Sequence, residues 1–168
     1  MACTVYWVEN LSGSRVGVMP RPRGGDWLSD EIRSLASQGV EVLVSLLTPE
    51  EVQELDLADE AQLCAENGIE FLSFPIKDRD IPSADAALKD FLRLLRNRIS
   101  LGTTVVVHCR AGIGRSAIMA ACLLVSNSNP VDQVMSSISR SRGFAVPDTS
   151  EQFEWARNFT ASFNQKCQ

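Results

Sequence analysis

Val105-Val106-Val107-His108-Cys109-Arg110-Ala111-Gly112-Ile113-Gly114-Arg115-Ser116, followed by the apolar run Ala117 to Val125, is the stretch on which the reading turns. Thr103 to Val107 is short, β-branched and bounded by Gly102, as a buried strand is. Ser116 to Val125 is apolar on all sides, so it reads as a buried helix. A strand, a glycine-containing turn and a helix N-terminus in succession form a cradle for an anion. The backbone N–H groups of Arg110, Ala111, Gly112, Ile113, Gly114 and Arg115 can converge on one site there. Gly112 and Gly114 permit positive φ and close backbone approach.

The segments on either side alternate in the same way. Val40 to Leu47 reads as a buried strand, after Gly39 as a helix stop. Thr48-Pro49-Glu50-Glu51 reads as a capped helix start, with Glu51 completing a capping box and the helix ending near Gly68. Ile69 to Phe74 reads as a further strand. Ser83 to Ile99 is an amphipathic helix with Leu88, Phe91, Leu92, Leu95 and Ile99 on one face. Pro130 opens a helix through Ile138. Thr149 and Gln152 cap a last helix whose apolar face carries Phe153, Ala156, Phe159 and Phe163. This order predicts an α/β fold: a central, mostly parallel or mixed sheet flanked by helices on both faces. It predicts one domain over residues 1–168, with no repeat or linker. Ligands of such sheets sit beyond the carboxyl ends of strands, which points to the loops after Val107 and after Phe74.

Composition narrows the function classes. The chain has 168 residues and a net charge of -5, with no general attraction for nucleic acid or anionic lipid. Neither partner is expected. MACTVYWVEN does not read as a signal peptide, and Ala117 to Val125 is too short to span a bilayer. Cys3, Cys64, Cys109, Cys122 and Cys167 are odd in number and irregularly spaced. Reduced thiols and a cytoplasmic location are therefore expected. The only histidine is His108, so a multi-histidine metal site is excluded and neither metal nor cofactor is expected.

Cys109 starts the glycine turn, where the helix dipole, the converging N–H groups and arginine charge favour a thiolate. Arg115, at the helix start, can hold two phosphoryl oxygens with its planar fork. Thiolate, N–H cradle and guanidinium together suit in-line phosphoryl transfer. His108 adjoins Cys109 in a strand, so the two should face opposite ways and form no dyad. It is read instead as a support that hydrogen-bonds backbone and stiffens the turn. Ser116 can donate to the Cys109 sulfur and help it leave in a second step. A carboxylic acid is needed for the leaving group. Phe74-Pro75-Ile76-Lys77-Asp78-Arg79-Asp80-Ile81-Pro82 offers Asp78 and Asp80.

His108 to Ser116 resembles the His-Cys-x5-Arg-Ser/Thr signature of the protein tyrosine and dual-specificity phosphatase superfamily, matching every fixed position. The loop from Pro75 is similar to the Pro-Ile-x-Asp-x-x-x-Pro loop of the kinase-associated phosphatase group, which puts the acid on Asp78, with Asp80 as the alternative. Gly17-Val18-Met19-Pro20-Arg21-Pro22 looks like the opening strand and turn of atypical dual-specificity domains. Pro147 to Gln152 is similar to the family's glutamine loop, but Asp148 stands where a water-positioning glutamine is usual. Gln152 matches the second glutamine. Asp148 and Thr149 are read as caps of the last helix. Arg140 and Arg142 either add charge near the mouth or form a solvated helix end. Cys122 is read as core, and Cys64 is set aside as an oxidation partner of Cys109.

The resemblance implies a tyrosine-phosphatase-like fold and a metal-independent, monomeric phosphatase acting on phosphorylated protein. Phosphotyrosine is implied, with phosphoserine and phosphothreonine as further substrates. Cys109 attacks phosphorus, Arg115 and the cradle hold the equatorial oxygens, Asp78 protonates the leaving group, and water then resolves a cysteinyl-phosphate. Lipid phosphatases of the superfamily put lysines in the signature loop. Ala111 and Ile113 stand here, which argues against phosphoinositides. Asp78 and the acidic charge argue against an RNA 5′-triphosphatase. A catalytically weak phosphoprotein-binding module is the rival from another class.

Overall fold

The computed structural model describes residues 3–8 and 15–165. Cys167 lies outside them. In chain order the elements begin with β1 (Tyr6–Val8), β2 (Val16–Pro20), a 3-10 turn (Gly25–Trp27), α1 (Leu28–Ser37) and β3 (Val42–Ser45). Then come α2 (Pro49–Glu54), α3 (Glu60–Glu66), β4 (Glu70–Ser73), α4 (Ala86–Ser100) and β5 (Val105–Cys109). The chain closes with α5 (Arg115–Leu124), α6 (Val131–Arg142) and α7 (Ser150–Gln165). Among the described residues the sheet runs β1-β2-β5-β3-β4. β2, β5, β3 and β4 are mutually parallel, and β1 is an antiparallel edge. The sheet is thus mixed and mostly parallel.

β5 is central, and all five of its residues are buried. Val105, Val107 and Cys109 face the core shared with α4, α5, α6 and α7, while Val106 faces the core shared with α1 and α3. A slip of one residue would send Cys109 to the wrong face and exchange both sets of contacts. Each fully buried aliphatic side chain contributes about 1.5–3 kcal/mol, so the valine register pins the nucleophile's direction.

Several boundaries differ from the sequence reading, each for a visible reason. The helix expected from Pro49 to Gly68 is two helices. Between them Asp56 takes φ +53° and its carbonyl accepts from Gly25 N–H at 3.0 Å, while Leu57 drops into the core. α4 is capped by Asp85, which accepts from Leu88 N–H at 3.0 Å, rather than starting at Ser83. α6 runs past Ile138 to Arg142 and ends on Gly143 at φ +76°. β5 continues through His108 and Cys109 rather than stopping at Val107. α5 is buried at every position. No helix of the described residues is long and apolar enough to cross a membrane.

Candidate active site

Five loops meet at the carboxyl end of β5, following β5 itself, β2, β3, β4 and α6. Parallel pairing sets Pro20 of β2 beside Cys109. Gly112 in the β5 loop has φ +72°, and a Cβ there would lie 2.5 Å from Met19 C and Pro20 N. Only glycine lets the loop close this tightly on β2.

Cys109 is 3% exposed. Its Sγ accepts from Gly112 N–H at 3.3 Å and lies 3.4 Å from Ser116 Oγ. Burial pushes the Cys122 thiol up to about 12, and burial with the nearby Glu60 charge pushes the Cys64 thiol up to about 12. Both belong in the protonated core. Cys64 packs in the α1/α3 core and Cys109 in the opposite one, so the sheet separates them.

Arg115 is 1% exposed. Glu51 of α2 holds it end-on: Nη1 donates to Oε2 at 2.7 Å and Nη2 to Oε1 at 2.9 Å. Nη1 also donates to Ile76 O at 2.8 Å, with Leu46 O farther off at 3.4 Å. Nη2 donates to Asp78 Oδ1 at 2.7 Å. A guanidinium has five N–H donors. Four are committed, and Nε–H has no acceptor among the described residues. The Nε–Nη2 edge is therefore the one that can receive an oxyanion, and Asp78 sits on half of it. Burial alone would raise the Glu51 carboxyl. Hydrogen bonds from Arg115 and Thr48 N–H, with the charges of Arg115 and Arg110, hold it below the ordinary value instead. Burial works against the charged Arg115, but Glu51, Cys109 and Asp78 raise it further above its usual value.

The loop after β4 separates the two candidate acids. Asp78 reaches Arg115. Asp80 turns back, its Oδ1 accepting from Ile81 N–H at 2.8 Å. Arg79, between them at φ +61°, pairs with Asp148 at 3.4 Å. Gln152 Nε2 donates to Asp80 O at 3.2 Å. Asp148 and Gln152 also pack on Gly114, where a Cβ would lie 3.1 Å from each. The stretch similar to a glutamine loop thus borders the cradle. Thr149 and Gln152 form the expected reciprocal cap of α7. Asp148 does not cap, because its carboxylate is drawn to Arg79.

His108 faces away from Cys109, as strand alternation requires. The expected backbone hydrogen bond from its ring is absent. β5 continues through this residue, so its carbonyl accepts from Leu46 N–H at 3.0 Å, and the ring enters the opposite layer. Its Nε2 lies 3.1 Å from Glu60 Oε1, both side chains buried. The contact is too poorly aligned for a directed hydrogen bond.

Two residues escaped the sequence reading. Glu51 was assigned only to the capping box, which it does complete. Nothing local in the sequence marks its second duty, which arises because β3 and β5 are neighbours. Arg142 is buried behind the loop, neither at the mouth nor in a solvated helix end. Its signal was periodicity: Val131, Val134, Met135, Ile138 and Arg142 share the inward face of α6. Arg140 is exposed. Arg110 is a cation in the same loop as Ala111 and Ile113. Its side chain is 39% exposed and paired with Glu54 at 2.6 Å.

Comparison with known proteins agrees with this fold. A family model described as "Tc-R-P: Polymorphic toxin system, DSP-PTPase phosphatase" matches residues 16–129. The chain is 31% identical over 133 residues to tyrosine-protein phosphatase non-receptor type 9 of Homo sapiens, a match covering 67% of this chain and 22% of that protein. It is 26% identical over 137 residues to cyclin-dependent kinase inhibitor 3 of Rattus norvegicus, covering 79% of this chain and 63% of that one. The chain therefore spans less than two thirds of either relative. Its fold is similar to that of a solved kinase-associated phosphatase bearing serine for its catalytic-site cysteine, with a TM-score of 0.87, 21% identity and 97% of both chains covered.

Proposed function

The chain belongs to the DSP-PTPase phosphatase family, and from that premise we propose that it hydrolyses phosphate monoesters on proteins through a cysteinyl-phosphate on Cys109. One observation carries the reading: the Cys109 sulfur lies under the Gly112 N–H and beside Ser116 Oγ, in a loop that ends on Arg115, whose Nε–H has no acceptor among the described residues and whose Nη2 is shared with Asp78. An incoming phosphoryl group takes Nε–H and displaces Asp78 from Nη2. Displacement frees Asp78, which takes up a proton from solvent and then serves the leaving group as an acid. The nucleophile's electron pair forms the S–P bond as the P–O bond breaks, and Asp78 gives that oxygen its proton. In the second half Asp78, now a carboxylate, takes a proton from water as the water oxygen attacks phosphorus. The S–P bond breaks, and Ser116 donates to the departing sulfur. The N–H groups from Arg110 to Arg115 and the Arg115 fork carry the charge on the equatorial oxygens. No step calls for a metal.

The test is hydrolysis of para-nitrophenyl phosphate and of phosphotyrosine, phosphoserine and phosphothreonine peptides. Turnover should resist EDTA and be blocked by orthovanadate. A folded protein that binds phosphopeptides without turning them over would be the binding module instead. Arg110 favours one second reading, hydrolysis of phosphoinositides, because it sets a half-exposed guanidinium in the loop. Phosphoinositide vesicles cleaved faster than every peptide would decide for it.

A further inference from the structure

We propose that Arg142 is a positioning residue that aims the N–H groups of the phosphate loop from behind; this rests on the reading of that loop as the phosphate site. Arg142 is 7% exposed. Its Nε donates to Gly112 O at 2.9 Å and its Nη2 to Ala111 O at 3.1 Å. The next carbonyl back, Arg110 O, accepts from Arg21 N–H at 3.3 Å. Three consecutive loop carbonyls are thus held on the outer side. A trans peptide is planar, so its C=O and N–H point in opposite directions. Pinning the oxygens of Arg110, Ala111 and Gly112 outward therefore turns the N–H groups of Ala111, Gly112 and Ile113 inward. The observed bond from Gly112 N–H to Cys109 Sγ has that direction. A cation on the carbonyl side also polarises each peptide and strengthens its N–H as a donor.

The guanidinium is itself held in place. It lies 4.0 Å from the Tyr6 ring centroid and 5.2 Å from that of Phe144. Ser141 Oγ donates to Trp7 O at 2.8 Å, tying the end of α6 to β1. The edge strand β1 therefore reaches the active site through Tyr6 and Arg142. Arg142 bonds only the outward carbonyls of the loop and not Cys109, so its effect is on the aim of the cradle.

The experiment compares wild type with Arg142→Gln, Arg142→Lys, Tyr6→Leu and the exposed control Arg140→Gln. It measures kcat and KM on para-nitrophenyl phosphate, inhibition by orthovanadate, and folding by circular dichroism. Arg142→Gln should weaken vanadate inhibition about tenfold and lower kcat about 10–100-fold, less than the loss of a whole donor. Arg142→Lys keeps the charge but cannot span two carbonyls, so it should fall between Arg142→Gln and wild type. Tyr6→Leu should shift both readings in the same direction by a smaller factor, and Arg140→Gln should match wild type. Folded Arg142→Gln with wild-type kcat and vanadate affinity overturns the proposal. If Arg142→Gln does not fold, Arg142→Lys and Tyr6→Leu decide, and wild-type values for both overturn it. Wild type that hydrolyses nothing and ignores vanadate overturns the phosphatase reading itself.

Discussion

The front and the back of the phosphate loop each hold one buried arginine, and they differ in where their donors go. Arg115, in front, is fixed by Glu51 and two backbone carbonyls, and its remaining edge is shared between Asp78 and a free Nε–H. Arg142, behind, gives its bonds to the loop's own carbonyls and rests on Tyr6. On the proposed reading one guanidinium therefore binds in front and the other aims from behind. The lesson is that a charge near a phosphate site is assigned by the acceptors it already has, and not by its proximity.

The comparison breaks most sharply at Arg115. Arg115→Lys keeps a cation but loses the fork, and kcat/KM should fall by about 10³–10⁵, as when an arginine is lost from phosphoryl transfer. Arg115→Met should also lower stability by about 3–5 kcal/mol, because Glu51 is left as a buried charge without its partner. Urea unfolding of the two variants separates these effects. A mild loss for Arg115→Lys would mean that charge alone serves in front.

Asp78→Asn comes next. It should cut kcat by about 10²–10⁴ and flatten the alkaline limb of the rate profile, where a general acid is lost. Asp80→Asn should change little, since its carboxylate serves its own loop. A reversed pair would move the acid to Asp80 and make the Asp78–Arg115 contact a mere resting place.

Glu51→Gln sharpens the comparison through pH. It should lower kcat/KM by about 10–100-fold, as a slightly misplaced fork would. The folded Glu51 carboxyl lies below its ordinary value of 4.5. Its charge therefore stabilises the fold above that value, and the contribution is lost as pH falls through the lower folded value. Wild type should be more stable than Glu51→Gln at neutral pH, and the gap should close in acid. A gap that widened in acid would contradict the assignment. The smallest effect is expected from Asp148→Asn, about twofold or less on kcat, since its partner Arg79 is a surface side chain.

Much of the front was legible in the chain. The triple valine, the two glycines and the buried helix located the cradle, and Cys109, Arg115 and Ser116 all lie on that one continuous segment. The prolines around Asp78 bounded the loop that reaches Arg115, because X-Pro restricts the backbone locally. The residues that reach the loop from distant parts of the chain were not legible, for a physical reason. Glu51 and Arg142 reach the loop across the fold, 64 and 30 residues away in sequence from Arg115 and Gly112. Their roles depend on which strands and helices become neighbours. His108 shows the same limit: alternation gave its direction, but its neighbour Glu60 comes from a helix whose start was masked by the unforeseen break after Glu54.

The central claim concerns a covalent bond, and trapping that bond tests it most directly. Wild type turning over a radiolabelled phosphotyrosine peptide is quenched in detergent within one turnover, and the label is located by peptide mapping. The account predicts one phosphoryl group on Cys109, and none in Cys109→Ser. Sustained turnover with no labelled protein, or label retained in Cys109→Ser, would contradict it.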